Sequence, residues 1–362
     1  MKFTIPSKDL RNLFSAASRA VGLKPSIPSL QGIYLLANKK EIIAVGSDLD
    51  IIIRAKKPLE VEIEGECLVN ARVAAEVVRK LPQGEVVVSD LGEELRIETG
   101  SLSFNLRKLD EKQYPREVVQ EETLEEGAVS FKKEEFFEAI NQVGVAAAQD
   151  GSTPVLTGVL FDSKEGKTNL VATDSYRLAS KELTDFPIKD LGVVSKKALN
   201  EVVRLFEEKE TEVGVVVRER EVFFDDGLYQ VSLRKIEGDY PEYKNLFPKE
   251  TVFSIEIDKE KIMEALDRSS VVAEGYIPIN LSFSKDSLVI TSLNQDIGGG
   301  KEEVPCSFLG VEIKEVEKFE MSFNPTYLMD AISVIVGSKV YFRFSGNQKP
   351  LLIQGETDNY QH

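Results

Sequence analysis

The sequence has little histidine and cysteine and no tryptophan, and the first two shortages exclude classes of site. Its only histidine is the last residue, His362, so neither a Ser-His-Asp triad nor a histidine-rich zinc cluster can be assembled. The two cysteines, Cys67 and Cys306, stand alone in apolar or strand-like surroundings, which indicates free thiols in a reducing compartment. We therefore predict no disulfide framework, no metal site and no histidine-based chemistry.

Long hydrophobic runs are also missing. No apolar stretch approaches the roughly 20 residues that a membrane-spanning helix needs, and residues 1–6 lack the apolar core of a signal peptide. The composition, 42% hydrophobic and 29% charged, is typical of a soluble globular protein. These features predict a cytoplasmic protein, and the length of 362 residues predicts two or three domains.

Positive charge is in deficit, since the formal net charge is −16. Such a protein is not expected to bind nucleic acid unless its basic residues are segregated. Three predicted helices each carry +2, at residues 8–19, 70–80 and 195–206. Three others carry −1, −1 and 0, at residues 132–143, 258–268 and 324–339. The helices sum to +4 and the rest of the chain to −20, which allows a phosphate-attracting helical face, although exposed helix faces in general favour lysine and arginine.

Three copies of one unit follow each other along the chain. A proline before an apolar run recurs as Pro28, Pro154 and Pro278, at spacings of 126 and 124 residues. Two other features keep the offset of 126, namely Ser47-Asp48 with Thr173-Asp174 and Tyr114-Pro115 with Tyr240-Pro241. Separate anchors at one offset favour an internal repeat over three unrelated domains.

Each copy is predicted to contain the order β-α-β-β-β twice over. Apolar residues at helical spacing mark the first five helices, as in Leu10, Leu13, Phe14 and Ala17, and N-caps are expected at Ser7, Asn70, Ser195, Asp258 and Asn324. Helices on one face of antiparallel sheets make an α+β fold. The repeat places three domains at residues 1–126, 127–250 and 251–362.

Possible catalytic features are better explained as turns. Asp48, Asp50 and Asp174 could suggest a carboxylate pair, yet Asp48 and Asp174 occupy equivalent corners of two copies, where Asp commonly caps its own turn. The stretch Gly298-Gly299-Gly300-Lys301 lacks the full phosphate-loop pattern and is interpreted as a flexible hairpin. An Asp-Gly hairpin is predicted at residues 223–227. No enzyme activity is predicted.

Three stretches carry a resemblance to a known family: Ala172-Thr173-Asp174-Ser175-Tyr176-Arg177-Leu178-Ala179, Glu237-Gly238-Asp239-Tyr240-Pro241-Glu242-Tyr243 and Phe323-Asn324-Pro325-Thr326-Tyr327-Leu328. With the repeat, they resemble the bacterial sliding clamps, the β subunits of DNA polymerase III. The resemblance implies the DNA clamp fold in a head-to-tail homodimer, a ring around duplex DNA with helices lining the hole and sheets outside. It implies a processivity factor without sequence specificity, whose partners are the replicative polymerase, the clamp loader and other clamp-binding peptides.

The resemblance also implies three sets of functional residues. The partner-peptide pocket would contain Leu156, Thr173, Tyr176, Arg177, Leu178, Pro241 and Leu246. DNA contacts would come from Lys24, Arg11, Arg72, Arg79, Lys196, Lys197 and Arg204. The dimer interface would join Phe104, Arg107 and Lys108 of one subunit to Val271, Val272, Glu302 and Glu303 of the other.

The sequence departs from the family pattern in several places. Tyr176 stands where the family often has His, Asn245 stands where a basic residue is common, and residues 149–153 lack the aromatics that some members have there. The family usually ends with an apolar-Met-Pro-apolar-Arg tail that helps to wall the pocket, whereas this sequence stops at His362. These departures leave an alternative open, a divergent accessory clamp copy with weakened ring closure or partner binding.

Overall fold

The computed structural model describes residues 1–362 except 23, 24, 26, 121–127, 132, 185, 190, 207–211, 275, 276, 285, 310–315, 317, 318, 357 and 358. Lys24, predicted to contact DNA, and Lys132, predicted to begin a helix, lie outside the described residues. Within the described part of the chain, no helix has both the length and the apolar character needed to cross a membrane.

The described residues form seven helices and 24 strands. The helices are α1 (Ser7–Ser18), α2 (Ala71–Arg79), α3 (Arg116–Val119), α4 (Lys133–Gly144), α5 (Lys196–Phe206), α6 (Lys259–Val272) and α7 (Pro325–Ser333). The strands of the first copy are β1 (Lys2–Pro6), β2 (Gly32–Asn38), β3 (Glu41–Ser47), β4 (Ile51–Pro58), β5 (Gly65–Asn70), β6 (Glu85–Asp90), β7 (Glu94–Thr99) and β8 (Leu102–Leu109).

The second and third copies contribute eight strands each. Those of the second copy are β9 (Val129–Ser130), β10 (Gly158–Lys164), β11 (Lys167–Thr173), β12 (Leu178–Thr184), β13 (Gly192–Ser195), β14 (Gly214–Val217), β15 (Glu221–Asp225) and β16 (Tyr229–Arg234). Those of the third copy are β17 (Phe253–Asp258), β18 (Ile279–Ser284), β19 (Ser287–Asn294), β20 (Gly298–Leu309), β21 (Met321–Phe323), β22 (Lys339–Phe344), β23 (Leu351–Gly355) and β24 (Tyr360–Gln361).

The element order confirms the predicted repeat. The first copy runs β1-α1-β2-β3-β4 and then β5-α2-β6-β7-β8, and the other two copies repeat this order around α4 and α5 and around α6 and α7. Only the short α3 adds a helix to the pattern within the described residues. The α+β fold with β-α-β-β-β occurring twice in each copy is therefore confirmed.

The predicted apolar helix faces are mostly buried. Leu10, Leu13, Phe14 and Ala17 of α1 are at most 3% exposed, and the predicted faces of α4, α5 and α6 are buried as well. Asn70, Asp258 and Asn324 each accept a hydrogen bond from a main-chain amide in the first turn of the helix that follows, as N-caps do. The prediction for Ser7 was wrong, because Ser7 is the first residue of α1 and the cap position is held by Pro6, which makes no side-chain cap.

Two helix lengths also differ from prediction. Residues 324–339 were predicted to be one helix, but α7 ends at Ser333 and Lys339 begins strand β22. Val334 is the C-cap residue of α7, Gly337 has φ of 103° in the segment that leads to β22, and Lys339 pairs with Asp258 in the sheet. In contrast, α6 continues past residue 268 to Val272.

The chain divides into two compact units that we describe separately. Unit 1 comprises Met1–Lys133 and Pro187–Lys235, and unit 2 comprises Glu134–Phe186 and Ile236–His362. In unit 1 an antiparallel sheet has the strand order β1-β6-β7-β8-β5-β2-β3-β4-β16-β15-β14-β9. In unit 2 the order is β10-β11-β12-β24-β23-β22-β17-β20-β19-β18-β21.

Strands from different copies pair within each unit. In unit 1, residues 51–55 of β4 pair with residues 229–233 of β16. In unit 2, Ser180 and Lys181 of β12 pair with Gln361 and Tyr360 of β24. These ladders explain why the compact units do not coincide with the copies. The domain boundaries at 126 and 250 remain predictions from the repeat.

A close approach between α1 and β3 gives a test of the packing in unit 1. A Cβ atom at Gly46 would lie 1.9 Å from the carbonyl oxygen of Ala17. Because main-chain atoms cannot move aside cheaply, we expect Gly46→Ala to lower the free energy of unfolding by about 3 kcal/mol in denaturant titration. Gly151→Ala is the matched control, since a Cβ atom at residue 151 would have no other atom within 4 Å. An equal stability of the two variants would contradict the described packing.

Candidate functional site

The corner between β11 and β12 is fixed by its own side chains. The hydroxyl of Thr173 donates to the carbonyl of Arg177 (2.6 Å) and accepts from the amide of Ser175 (3.1 Å). Oδ1 of Asp174 accepts from the amides of Tyr176 and Arg177, both at 3.0 Å. These bonds are typical of Asx and ST turns. They fix both the amide and the carbonyl of Arg177.

The first copy has the same corner at the predicted offset. The amide of Leu49 donates to the hydroxyl of Ser47, and Oδ1 of Asp48 accepts from the amides of Asp50 and Ile51. Leu49 and Ser175, which are equivalent in the repeat, have φ of 78° and 77°. The interpretation of Asp48 and Asp174 as turn residues is therefore confirmed.

What differs between the two corners is the side chain of Arg177, whose equivalent is Ile51. Its Nε donates to Oδ2 of Asp174 at 3.0 Å, and its Nη1 donates to Oδ2 of Asp330 in α7 at 2.6 Å. The guanidinium carbon lies 4.3 Å from the ring centre of Tyr327, within the range of a cation–π contact. The Arg177 side chain is only 7% exposed, so these three neighbours surround most of it.

A cavity of about 320 Å³ lies beside this arginine within unit 2. Three segments form its wall, namely the corner, the turn after the short 3-10 helix Tyr243–Asn245, and the end of β21 with α7. A fourth side is formed by β23 and His362. The lining residues are mostly apolar: Leu178, Leu246, Phe247, Pro248, Phe323, Leu328, Pro350, Leu351, Leu352 and Ile353, with Thr173, Ser175, Tyr176, Arg177, Asn324, Tyr327 and His362.

Five of the seven predicted pocket residues line this cavity: Thr173, Tyr176, Arg177, Leu178 and Leu246. Tyr176 is 85% exposed and stands at the edge, whereas Thr173 is buried. Leu156 is buried in the short 3-10 helix Pro154–Thr157, and Pro241 is exposed; neither is among the described lining residues.

Sequence reasoning missed most of the wall that the third copy supplies. The stretch from Phe323 to Leu328 was noticed as a motif, but nothing in it indicated that Tyr327 would lie under Arg177. The β23 residues 351–353 carried no signal, since a short run of apolar residues looks the same whether it faces a core or a cavity.

Two titratable side chains of the wall, His362 and Tyr327, have shifted pKa values. Burial, and secondarily the charge of Arg177, lowers the pKa of His362 to about 3. The His362 Nδ1 atom lies 3.0 Å from the hydroxyl of Tyr360. Burial, followed by the charge of Asp174, raises the pKa of Tyr327. Among the described residues that line the cavity, Arg177 is the only Arg, Lys, Asp or Glu.

The basic helices α1, α2 and α5 all belong to unit 1. Arg72, Arg79, Lys197 and Arg204 are exposed, and Lys196 is half-buried. Arg11 is half-buried too, and its Nη2 donates to the carbonyl of Leu81 just after α2, which indicates a structural contribution. Arg19, after α1, bonds Glu201 of α5 at 3.2 Å. Arg11 and Arg19 thus link α1 to the end of α2 and to α5.

Two strands inside the sheets, β8 and β20, leave part of one main-chain edge without a strand partner in the part of the chain that the structure describes. Residues 102–107 of β8 pair only with β7, since β5 begins to pair at Lys108. Residues 298–305 of β20 pair only with β19, since β17 begins to pair at Cys306. Gly298, Gly299 and Gly300 are the first residues of β20 and close the hairpin with β19, so the predicted hairpin is confirmed.

The predicted interface residues lie on or beside these edges. Phe104 and Arg107 of β8 are exposed, while Lys108 is half-buried and bonds Asp90. Val271 is 73% exposed on α6, which packs on β19 and β20. Glu303 is exposed on β20, and Glu302 bonds Arg268 at 2.8 Å. Val272, also on α6, is half-buried.

No group of three or more His, Cys, Asp or Glu side chains that could hold a metal ion occurs within the described ranges. Burial raises the pKa of the Cys67 thiol to about 12 and that of the Cys306 thiol to about 11. Both thiols are free and protonated near pH 7, so neither is an activated nucleophile.

Comparisons with known proteins cover the whole chain. Three family profiles match in succession: the N-terminal domain of the DNA polymerase III β subunit at residues 1–118, its central domain at 130–242 and its C-terminal domain at 244–362. A relative from Halalkalibacterium halodurans, a β sliding clamp, is 32% identical over 95% of this chain and 93% of its own length. One from Streptomyces coelicolor is 29% identical over 98% and 94%.

Solved structures agree with these matches. A DNA polymerase sliding clamp from Bacillus subtilis has a TM-score of 0.88 at 28% identity and covers 100% of this chain and 97% of its own. A DNA polymerase III β subunit from Pseudomonas aeruginosa has a TM-score of 0.87 at 25% identity, with 100% and 98% covered. A further P. aeruginosa sliding clamp was solved bound to griselimycin.

Proposed function

We propose that this chain, which belongs to the family of bacterial DNA polymerase III β subunits, is a DNA sliding clamp that confers processivity on the replicative polymerase. One observation carries the proposal: a β sliding clamp 32% identical to this chain aligns over 95% of it. The six β-α-β-β-β elements and the Arg177 cavity agree with it. The clamp encircles duplex DNA without reading its sequence and works by binding rather than catalysis, in the cytoplasm.

The open strand edges support a head-to-tail homodimer. A long unpaired edge is a template for another strand, and β8 in unit 1 and β20 in unit 2 each offer one. Apolar Phe104 and Val271 are exposed beside them, and Arg107 and Glu303 have opposite charges. Joining the β8 edge of one subunit to the β20 edge of the next is a heterologous contact. Such contacts form a closed ring of two copies when the rotation that relates the subunits brings the second copy back into contact with the first.

The basic helices support contact with the DNA backbone. Arg72, Arg79, Lys197 and Arg204 are exposed on α2 and α5, and lysine and arginine attract phosphates without reading bases. Their neighbours Glu76, Asp48 and Glu201 form surface pairs with Arg79, Lys197 and Arg204. Electrostatic attraction between these side chains and the phosphates acts over a distance and does not depend on the base sequence, so it allows the protein to slide along DNA. Lys24, Arg11 and Lys196 complete the proposed set of DNA contacts.

The cavity supports docking of partner peptides. Its wall is largely apolar with a few polar groups, as expected of a site for short peptide segments with apolar anchors. The partners are the replicative polymerase, the clamp loader and other proteins that present such segments. A tethered polymerase gains processivity because its effective concentration at the DNA rises. The accessory-clamp alternative gains no support, since Gly298–Gly300 form an ordinary ladder with β19.

Ring topology predicts how the protein leaves DNA. After loading by a matched clamp loader onto nicked circular DNA, the protein should stay bound in gel filtration and leave when the circle is cut, because it slides off free ends. Protein blocks at both ends of the cut DNA should restore retention, and sedimentation should show a dimer. Equal retention on circular and unblocked linear DNA would contradict the topological mechanism.

Charge reversal on α2 tests the DNA-facing surface. Arg72→Glu with Arg79→Glu should slow loading roughly tenfold at low salt, because attraction to phosphates speeds the encounter, and the difference should shrink as salt screens the charges. Lys39→Glu with Lys40→Glu makes the same change of charge in the exposed turn between β2 and β3. Equal loading rates for the two variants would show that α2 does not face DNA.

Truncation of the cavity wall tests the docking site. Leu178→Ala and Arg177→Ala should each weaken binding of a short peptide with Leu and Phe anchors by about tenfold or more in calorimetry, since anchor pockets carry much of the binding free energy. Dimerisation, measured by sedimentation, should not change. Leu228→Ala, an exposed leucine in unit 1, is the control. Unchanged affinity in both cavity variants would show that the site lies elsewhere.

A further inference from the structure

The unpaired part of β8 points the main-chain groups of alternate residues outward. The amide of Lys108 donates to the carbonyl of Glu93, just before β7. Because main-chain groups alternate in an antiparallel ladder, the even-numbered residues of β8 face β7. The residues that face the unpaired edge are Ser103, Asn105 and Arg107.

The unpaired part of β20 has the same arrangement. The amide of Cys306 donates to the carbonyl of Asp286, just before β19, so the even-numbered residues of β20 face β19. Pro305 belongs to the odd-numbered series, where its missing amide costs no bond to β19. The residues that face the unpaired edge are Gly299, Lys301 and Glu303.

The side chains of these outward residues lie on one face of each sheet. In β20, Glu302 bonds Arg268 of α6 and Val304 is buried, so the even-numbered side chains point toward α6. In β8, Leu106 is buried opposite Leu95, so the even-numbered side chains point into the core. If the two edges join with their buried faces on the same side, the odd-numbered side chains of both strands meet on the outer face.

Gly299 forms a notch on that outer face. It lies directly opposite Leu293 of β19 in the ladder, and Leu293 is 68% exposed. Because Gly299 has no side chain, β20 places nothing between Leu293 and the unpaired edge at this point. Glycine in a strand allows another chain to approach closely. A long side chain from a neighbouring strand can therefore lie across Gly299 and pack on Leu293.

Like charges and Pro305 disfavour two registers of pairing between β8 and β20. The direction is taken as antiparallel, as in the ladders of β4 with β16 and of β12 with β24. If Asn105 lies opposite Glu303, Arg107 lies opposite Lys301, and like charges that face each other repel. If Arg107 lies opposite Glu303, Asn105 lies opposite Pro305, which has no amide to donate.

Of the two remaining registers, only one uses every outward residue. If Asn105 lies opposite Gly299, Arg107 lies opposite Ile297, which is outside β20, and only two pairs form. If Asn105 lies opposite Lys301, three pairs form and none joins like charges. The three pairs are Ser103 with Glu303, Asn105 with Lys301 and Arg107 with Gly299.

We propose that β8 of one subunit pairs with β20 of the next in the register that places Asn105 opposite Lys301, and that the Gly299 notch admits the side chain of Arg107 onto Leu293. The inference rests on the proposed head-to-tail homodimer and adds its register. It also gives the glycines of β20 a role, since the partner strand needs a position without a side chain. The stretch Gly298–Gly300 is then part of the subunit contact.

Paired cysteines in the full chain test the register. In a Cys306→Ser background, Asn105→Cys with Lys301→Cys tests the proposed pairing. Ser103→Cys with Lys301→Cys, and Asn105→Cys with Glu303→Cys, test shifts of two residues in either direction. All four positions are exposed. Opposite residues lie about 5.5 Å apart between Cα atoms, within the roughly 7 Å that a disulfide allows, whereas a two-residue shift adds about 7 Å along the strand.

Mild oxidation should link the proposed pair into a covalent dimer about tenfold faster than either shifted pair, as measured by non-reducing electrophoresis. Faster linkage of a shifted pair, or equal rates for all three, would overturn the proposed register. Sedimentation of the unmodified protein is the separate check on the dimer itself. A strict monomer at micromolar concentration would show that the head-to-tail dimer fails, which is distinct from a dimer that forms in another register.

A double-mutant cycle tests the notch. Arg107→Ala and Leu293→Ala should each weaken dimerisation about three- to tenfold in sedimentation, and together by no more than the larger single effect, because side chains in contact are energetically coupled. Leu228→Ala, an exposed leucine in unit 1, is the control and should neither weaken dimerisation nor change the effect of Arg107→Ala. Additive effects of Arg107→Ala and Leu293→Ala would contradict the contact across Gly299.

Discussion

Main-chain pairing between strands of different copies is the constraint on which the rest of the structure depends. The helices α1 and α6 pack on strands of their own β-α-β-β-β elements, but the outer strands of such elements need partners. The first and second copies satisfy this need by pairing β4 with β16, and the second and third by pairing β12 with β24. Parts of the edges of β8 and β20 have no strand partner in the described chain, and the proposed dimer would use them.

The same corner occurs in the first and second copies, but only the corner of the second copy lines the described cavity. The corners at Ser47-Asp48 and Thr173-Asp174 share their hydrogen bonds and their left-handed residue, so the fold requires them in both places. After the corner, Asp50, Ile51 and Ile52 in the first copy become Tyr176, Arg177 and Leu178 in the second. Arg177 forms ion pairs with Asp174 and Asp330 that Ile51 cannot form.

The basic helices belong to one of the two compact units. The basic helices α1, α2 and α5 lie in unit 1, while α4 in unit 2 begins with acidic residues and α7 carries only Asp330. A protein with a formal charge of −16 can therefore still offer phosphates a favourable surface. The net charge of the whole chain does not reveal this arrangement, whereas the charges of the individual helices do.

The sequence by itself determined the three copies, the order of elements and most buried helix faces, because periodic patterns and turn residues act locally and recur at a fixed offset. It also placed the corner and five of the cavity residues, through motifs typical of a family. The prediction was wrong at Ser7, which is the first residue of α1 rather than its cap. It was also wrong at the end of α7, where Lys339 pairs with Asp258 in the sheet instead of continuing the helix. Only the tertiary structure decided that Asp330 and Tyr327 enclose Arg177 and that β23 completes the wall. Such contacts join residues some 150 positions apart, and no pattern along the chain encodes them.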